Sequence, residues 1–127
     1  MSTAVQLIND WIRQNALPIA LPWQGPKASL TFDSVRVQLH VMGSGTILLE
    51  ARLCDLPESL SARDQLLMRL GRISLGRMRD NAAVLSVDVN GSAAWLQRRV
   101  QPAVPPHELD EAVEALVNEI ELWRSML

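Results

Sequence analysis

The chain has 127 residues, of which 48% are hydrophobic and 20% charged, and its formal net charge is −2 at pH 7. This length matches one ordinary domain with a single core, and the composition lacks the low hydropathy and high net charge of disordered proteins. No apolar run approaches the roughly 20 residues that a membrane-spanning helix needs, and the first ten residues lack a signal-peptide pattern. We therefore expect one soluble domain over residues 1–127.

Cysteine content and charge distribution give two further expectations. The only cysteine, Cys54, has no partner for an intramolecular disulfide, so a reducing compartment such as the cytoplasm is the simplest assumption. Residues 105–127 carry six acidic residues against one arginine, which leaves the rest of the chain with a net charge of +3. An acidic end and a basic middle favour contacts between surfaces of one assembly.

The first part of the chain predicts a helix followed by three strands. From Ser2 to about Asn15 the apolar residues recur at helical spacing, and Pro18 and Pro22 end this helix. From Lys27 the period changes to two, which is typical of half-buried strands. The inward positions of the three strands are Ala28, Leu30, Phe32, Val35, Val37, Leu39, Val41, Ile47, Leu49, Ala51 and Leu53. Short turns between these runs predict an antiparallel meander.

The second part predicts a helix, a hairpin and a final helix. Ser59 or Ser61 can cap a helix that we expect to fray before Asp80, and its apolar stripe is Leu66, Leu67, Leu70 and Ile73. Alternation from Ala83, followed by Asn90-Gly91, predicts a two-residue hairpin into 92–100. The final helix, from about Pro105 to Met126, carries one apolar face and an acidic remainder. The expected class is α+β, with helices on one side of antiparallel sheet.

Few residues indicate catalysis. Nucleophilic catalysis needs a nucleophile, a base and a group that orients the base, and the candidates here are Ser44, Cys54, His40 and His107. His40 lies on the polar face of a predicted strand and His107 in the exposed first turn of the last helix. Cys54 is most simply a small buried hydrophobe. Two histidines and one cysteine are too few for a zinc site, and we expect no cofactor.

Phosphate, cation and nucleic-acid binding also find weak support. The segment 43–45 joins two strands, whereas a phosphate loop joins a strand to a helix. The glutamates at 108, 111 and 114 are typical of a solvated helix face. The cluster Arg69, Arg72, Arg77 and Arg79 lacks an aromatic neighbour to stack a base, and the sequence pI is about 5.6. We expect no nucleic-acid partner and no membrane insertion.

Apolar surface is what remains to be explained. Three helices and one layer of sheet cannot easily hide Trp11, Leu48, Val84, Trp95, Trp123 and the segment 17–23 together. Exposed apolar patches usually mark partner surfaces, and a free strand edge next to them suits an extended segment of another protein. The alternative is that the segment 17–23 packs into the core.

Three short sequence segments, named phrases here, and the order of helices and strands resemble those of one protein family. The phrases are Leu30-Thr31-Phe32-Asp33 before the meander, Leu53-Cys54-Asp55-Leu56-Pro57 before the second helix, and Trp123-Arg124-Ser125-Met126-Leu127 at the end. In these and in its layout the chain is similar to the class I type III secretion chaperones, the Tir-chaperone-like family. The resemblance covers nearly the whole chain.

This resemblance implies a non-enzymatic bacterial cytoplasmic homodimer that binds the N-terminal region of a secreted effector in an extended form. The implied dimer-interface candidates are Leu67, Leu70, Ile73, Leu85 and Val87. The implied effector-binding candidates are Ile8, Ile12, Leu17, Ile19, Leu30 and Phe32. Because such a chaperone delivers its effector to the secretion machinery, the secretion ATPase is a further implied partner.

Two other functions stay open at this point. A regulatory or adaptor protein would bind a folded partner through the acidic final helix, and charge reversal at Glu111 and Glu114 would then abolish binding while substitutions at Leu30 or Phe32 would not. A small enzyme or ligand binder would use His40 or Cys54, and alanine at both positions would then eliminate its activity.

Overall fold

The computed structural model describes residues 3–79 and 82–127. In chain order, these residues form α1 (Thr3–Gln14), β1 (Lys27–Phe32), β2 (Val35–Val41), β3 (Ile47–Asp55), α2 (Leu60–Arg77), β4 (Val84–Val87), β5 (Ala93–Val100) and α3 (Pro106–Met126). The predicted element order and the α+β class are confirmed. Helix α2 ends at Arg77, before Asp80 as expected, and residues 80–81 lie outside the described residues.

All five strands join one antiparallel sheet in the order β1-β2-β3-β5-β4. The hairpin β4–β5 attaches to the meander through β5, which pairs with β3 from Ile47 opposite Val100 to Asp55 opposite Ala93. A register shift between Arg52 and Cys54 interrupts this pairing. Within the described chain, β1 and β4 are therefore the two edges of the sheet.

The β1–β2 and β4–β5 turns differ in length. Asp33 and Ser34 both have positive φ, 48° and 69°, as a two-residue type I′ hairpin requires. The β4–β5 connection instead runs from 88 to 92, so the prediction of a two-residue turn at Asn90-Gly91 is wrong. The Asp88 carboxylate accepts hydrogen bonds from the N–H and hydroxyl of Ser92, at 2.7 and 2.8 Å, and these bonds stabilise the longer loop. They also lower the pKa of Asp88.

The core lies between one face of the sheet and the helices α1 and α3. Alternate residues of each central strand point to this face, and α3 packs across β3, β5 and β2 while α1 packs on α3. Trp11 and Trp123, which the sequence suggested as hard to hide, are 0% and 2% exposed. Their burial corrects the expectation for these two tryptophans, whereas Val84 of the same set is 63% exposed.

Three hydrogen bonds with a buried partner fix α1 and the segment after it. The Trp11 indole N–H donates to Asp110 Oδ1 of α3 at 3.0 Å. The amide of Asn9, which is 5% exposed, donates to the carbonyl of Trp23 at 2.7 Å and accepts from its N–H at 2.8 Å. Asn9 thus holds residues 16–23, named here the connector, against α1. Of the two alternatives for the connector, partial packing into the core is observed.

Helix α2 is attached loosely compared with α3. Of its 18 residues only Leu70 is buried, whereas α3 buries eight of 21. Arg77, near its end, donates to both carboxylate oxygens of Glu119 on α3, at 2.9 and 3.1 Å. Arg63, near its start, donates to the carbonyl of Gly91 in the β4–β5 loop. Helix α2 thus has one fully buried residue and leaves much apolar surface in solvent.

Candidate functional site

Exposed apolar side chains lie on α2 and on the edge strand β4. Met68, Leu75 and the C-cap residue Met78 lie at helical spacing on one side of α2, and they are 61%, 74% and 69% exposed. Val84 and Val87 of β4 are also exposed, and they point to opposite faces of the strand because three positions separate them. Val87 shares the helix side of the sheet with Leu85, so we name Met68, Leu75, Met78 and Val87 the α2–β4 surface. Gly71 lies between Met68 and Leu75 on the same stripe, and a Cβ built there would meet nothing within 4 Å, so another backbone can approach closely.

The predicted dimer-interface residues surround this surface in different ways. Val87 is exposed on it, and Leu67, Ile73 and Leu85 are half-buried against the core. Leu70 is 0% exposed and fills the core of its own chain. Sequence reasoning missed Met68, Leu75 and Met78, which belong to a second stripe of α2. Only the structure shows that the stripe at Leu66, Leu67, Leu70 and Ile73 faces inward.

A second candidate surface lies along β1 and the connector. Leu17 and Ile19 are half-buried at the connector, and Leu21 is exposed beside them. On β1, Leu30 is 7% exposed and Phe32 is half-buried at the end of the strand. We name this region the β1 edge. It places the outer edge of β1, which pairs with β2 on its other side, next to accessible apolar side chains, and this combination suits an extended polypeptide.

Two hydrogen bonds show which backbone groups of β1 point away from β2. Val41 N–H donates to the carbonyl of Pro26 at 2.8 Å, so Pro26 points toward β2. The carbonyl of the next residue, Lys27, accepts from the indole of Trp23 at 3.2 Å. Because successive residues of a strand turn their backbone groups to opposite sides, Ser29 and Thr31 direct theirs away from β2. These groups are available to a strand added at the edge.

Four of the six predicted effector-binding residues lie at this surface, to different degrees. Leu17, Ile19 and Phe32 are accessible, and Leu30 exposes only a small part of its side chain. Ile8 and Ile12 are 0% and 1% exposed, because the apolar stripe of α1 faces α3 and the sheet of its own chain. In this structure they belong to the core.

Of the residues considered for catalysis, His40 forms a hydrogen bond within the sheet and Cys54 is half-buried. His40 Nε2 lies 2.8 Å from Glu50 Oε1, and Gln97 donates to the other oxygen of Glu50 at 3.0 Å, which makes a polar ladder across three strands. Burial raises the pKa of the half-buried Cys54 thiol, and Asp55 adds to this effect. A raised pKa leaves less thiolate at neutral pH and therefore a weaker nucleophile.

The described residues contain neither a cluster of metal ligands nor a membrane-spanning helix. No group of three or more histidine, cysteine, aspartate or glutamate side chains is placed to hold a metal ion in residues 3–79 and 82–127. None of the helices described there is long and apolar enough to cross a membrane.

A family model matches residues 6–124, which is nearly the whole chain, and it describes the Tir chaperone protein (CesT) family. The chain belongs to the Tir chaperone family. The resemblance that the sequence suggested is therefore confirmed, and the family role is that of a chaperone. No curated protein sequence matches the chain.

Solved structures of similar fold include three complexes. The crystal structure of the ExsC–ExsE complex matches with a TM-score of 0.73 and 20% identity over 100% of this chain and 97% of the other. The HopA1–SchA chaperone–effector complex matches at 0.71 and 14% identity, over 97% and 94% of the two chains. The Yersinia pestis type III secretion chaperone SycH, solved with a fragment of YscM2, matches at 0.65 and 14%, over 95% and 98%. At such identities the likeness is one of fold, and this Tir chaperone family member shares that fold along its full length.

Proposed function

We propose that this chain is a type III secretion chaperone that binds the N-terminal region of an effector in an extended, secretion-competent form. The family match and the fold of two chaperone complexes support the role. The observation that carries the mode of binding is the β1 edge, where unpaired backbone groups lie beside accessible apolar side chains. A client held there would stay soluble without becoming globular.

Strand addition at the β1 edge would supply affinity and alignment together. The outward groups of Ser29 and Thr31 would hydrogen-bond to the client backbone, while Leu17, Ile19 and Phe32 would cover its apolar side chains. Backbone bonds depend little on client sequence, and side-chain contacts at alternate positions supply specificity. One chaperone chain can thereby hold a client that has no fold of its own.

The working unit in this proposal is a homodimer formed through the α2–β4 surface. Exposed methionine, leucine and valine side chains on one helix stripe and one edge strand are costly in water, and burial of such a patch against a second copy removes this cost. Two copies would present two β1 edges to one client. The proposed setting is the bacterial cytoplasm, with release of the client at the secretion machinery, where the secretion ATPase is a further proposed partner.

Capture of a client tests this proposal. The tagged chain, expressed in the bacterium that encodes it, is purified and its bound proteins are identified by mass spectrometry. Limited proteolysis then maps the protected region. We expect a secreted protein whose N-terminal region alone is protected, because an extended segment wrapped on the chaperone is shielded while the rest is free.

Thr31→Pro is the decisive variant for strand addition. Proline removes the outward N–H that the client would use, and an edge strand tolerates it there. We expect at least a tenfold loss of captured client, while Thr31→Val, which keeps the N–H, binds as the wild type does. Equal capture by both variants would contradict strand addition at β1. Loss of capture on reversal of Glu111, with Thr31→Pro unaffected, would favour the adaptor role through α3 instead.

A further inference from the structure

A small pocket lies where the β1–β2 turn meets α3. Its floor is apolar and consists of Phe32 with Val113 and Val117 of α3, and Val113 and Val117 are 3% and 5% exposed. Its volume is about 300 Å³. Pockets for small molecules run from roughly 300 to 1,000 Å³, so this one lies at the low end and suits a single long side chain better than a free metabolite.

The rim of the pocket is acidic, and within the described residues its carboxylates form no salt bridge. Asp33, Asp110 and Glu114 lie around the opening. None of the ion pairs in the described residues includes any of the three. The Trp11 indole N–H binds Asp110 Oδ1 at 3.0 Å, which fixes this carboxylate and leaves its second oxygen for a ligand. An apolar floor under fixed carboxylates matches an aliphatic stem that ends in a positive charge.

The pocket is continuous with the β1 edge. Phe32 is the last residue of β1, and its side chain points to the helix side of the sheet, as does that of its partner Val35. In a pair of strands, residues opposite each other direct their side chains to the same face. A client residue paired with Phe32 would therefore direct its side chain toward α3 and into the pocket.

We propose that this pocket binds one lysine or arginine side chain of the client and thereby fixes where the client strand starts along β1. The inference rests on the proposed function and deepens it, since it assigns a chemical class to one client position. Apolar contacts along the connector tolerate many sequences, whereas a charge pairing at one end of the strand selects a register.

Selection from a display library tests the inference without a known client. Random twelve-residue peptides are selected on the wild-type protein and on the double variant Asp33→Asn/Glu114→Gln. We expect the wild type to enrich peptides with alternating apolar residues and a lysine or arginine at one fixed position. The double variant is expected to enrich the same apolar pattern without the basic residue, because its rim has lost two charges.

A matched control separates the pocket from general charge. Asp55→Asn/Glu121→Gln removes the same two charges from exposed positions that do not line the pocket, and it should select as the wild type does. Peptides with no fixed basic residue, or the same enrichment on the pocket variant, would overturn the pocket assignment alone. If no peptide is enriched on any variant, the proposed client binding falls as well.

NMR spectroscopy detects binding in the pocket directly. The indole N–H of Trp11 gives an NMR signal that reports on the bond to Asp110, and Trp11→Phe identifies it among the four tryptophans. A selected peptide should shift this signal and bind about tenfold more tightly than its version with methionine in place of the basic residue. The methionine version should shift it much less. Equal shifts with both peptides would overturn the pairing with Asp110.

Discussion

At the residue scale, Asn9 anchors the connector that borders the β1 edge. Its side chain satisfies both the N–H and the carbonyl of Trp23 and also donates to the carbonyl of Val5 at 2.8 Å. Asn9→Leu would keep the size of the side chain but leave the buried backbone groups of Trp23 without partners. Such a loss costs about 1–3 kcal/mol. We expect a decrease of that size in the free energy of unfolding, measured by urea denaturation.

Asn15, the residue just after α1, provides the matched control. Its amide donates only to the carbonyl of Trp11, and its side chain is exposed. Asn15→Ala should therefore change stability by less than about 0.5 kcal/mol. Faster proteolysis within the connector of Asn9→Leu, but not of Asn15→Ala, would locate the effect. Equal stability of the two variants would contradict an anchoring role for Asn9.

Single residues were the least predictable part of the chain. The helical period gave Ile8 and Ile12 correctly as one face of α1, but periodicity does not say whether a face packs on its own chain or on a partner. The sequence did not predict the hydrogen bonds of Asn9, because its partner Trp23 is 14 positions away and only the loop conformation brings the two together. The pair of Trp11 and Asp110 spans 99 positions and was equally hidden.

At the element scale, the Arg77–Glu119 pair fixes the end of α2 on α3. Glu119 is 3% exposed while the Arg77 side chain is 30% exposed. Arg77→Met would leave a buried carboxylate without this partner, and breaking such pairs costs about 3–5 kcal/mol when both groups are buried. Because Arg77 is partly in solvent, we expect about 2–3 kcal/mol, measured by urea denaturation.

A double-mutant cycle isolates this contact. Arg77→Met combined with Glu119→Met replaces both charges by apolar groups, and we expect it to recover at least half of the stability lost in Arg77→Met. The control Arg79→Met removes an exposed arginine near the same helix end and should leave stability nearly unchanged. A double variant no more stable than Arg77→Met would show that the helix end depends on other contacts.

Elements themselves were largely predictable, and their assembly was not. The spacing of the apolar residues, about 3.6 in helices and two in strands, predicted the first and last residue of every helix and strand to within about two positions. The pairing of β5 with β3 has no local signature, because it joins segments some 45 positions apart and skips the helix α2 between them. Likewise, the sequence shows two apolar stripes on α2, and only packing decides which one faces solvent.

At the scale of the whole molecule, the proposed homodimer depends on the α2–β4 surface. The stripe Met68, Leu75 and Met78 is exposed along about three helical turns, and Leu70 is the one fully buried residue of α2. In the proposed dimer, a second copy would cover this stripe. We expect the wild type to be a dimer at micromolar concentration by light scattering.

Charge on the stripe should separate the dimer without unfolding the chain. Met68→Glu/Leu75→Glu places two carboxylates in the proposed interface, where burial without partners is costly, but both positions are in water in the single chain. We expect a monomer with an unchanged circular dichroism spectrum and weaker client capture, since two linked β1 edges bind one client with higher avidity than one. Met42→Glu, on a residue 42% exposed in the β2–β3 turn, should remain dimeric. If the double variant stays dimeric, the dimer interface does not lie on α2. If the wild type is a monomer, a single β1 edge is the whole binding unit.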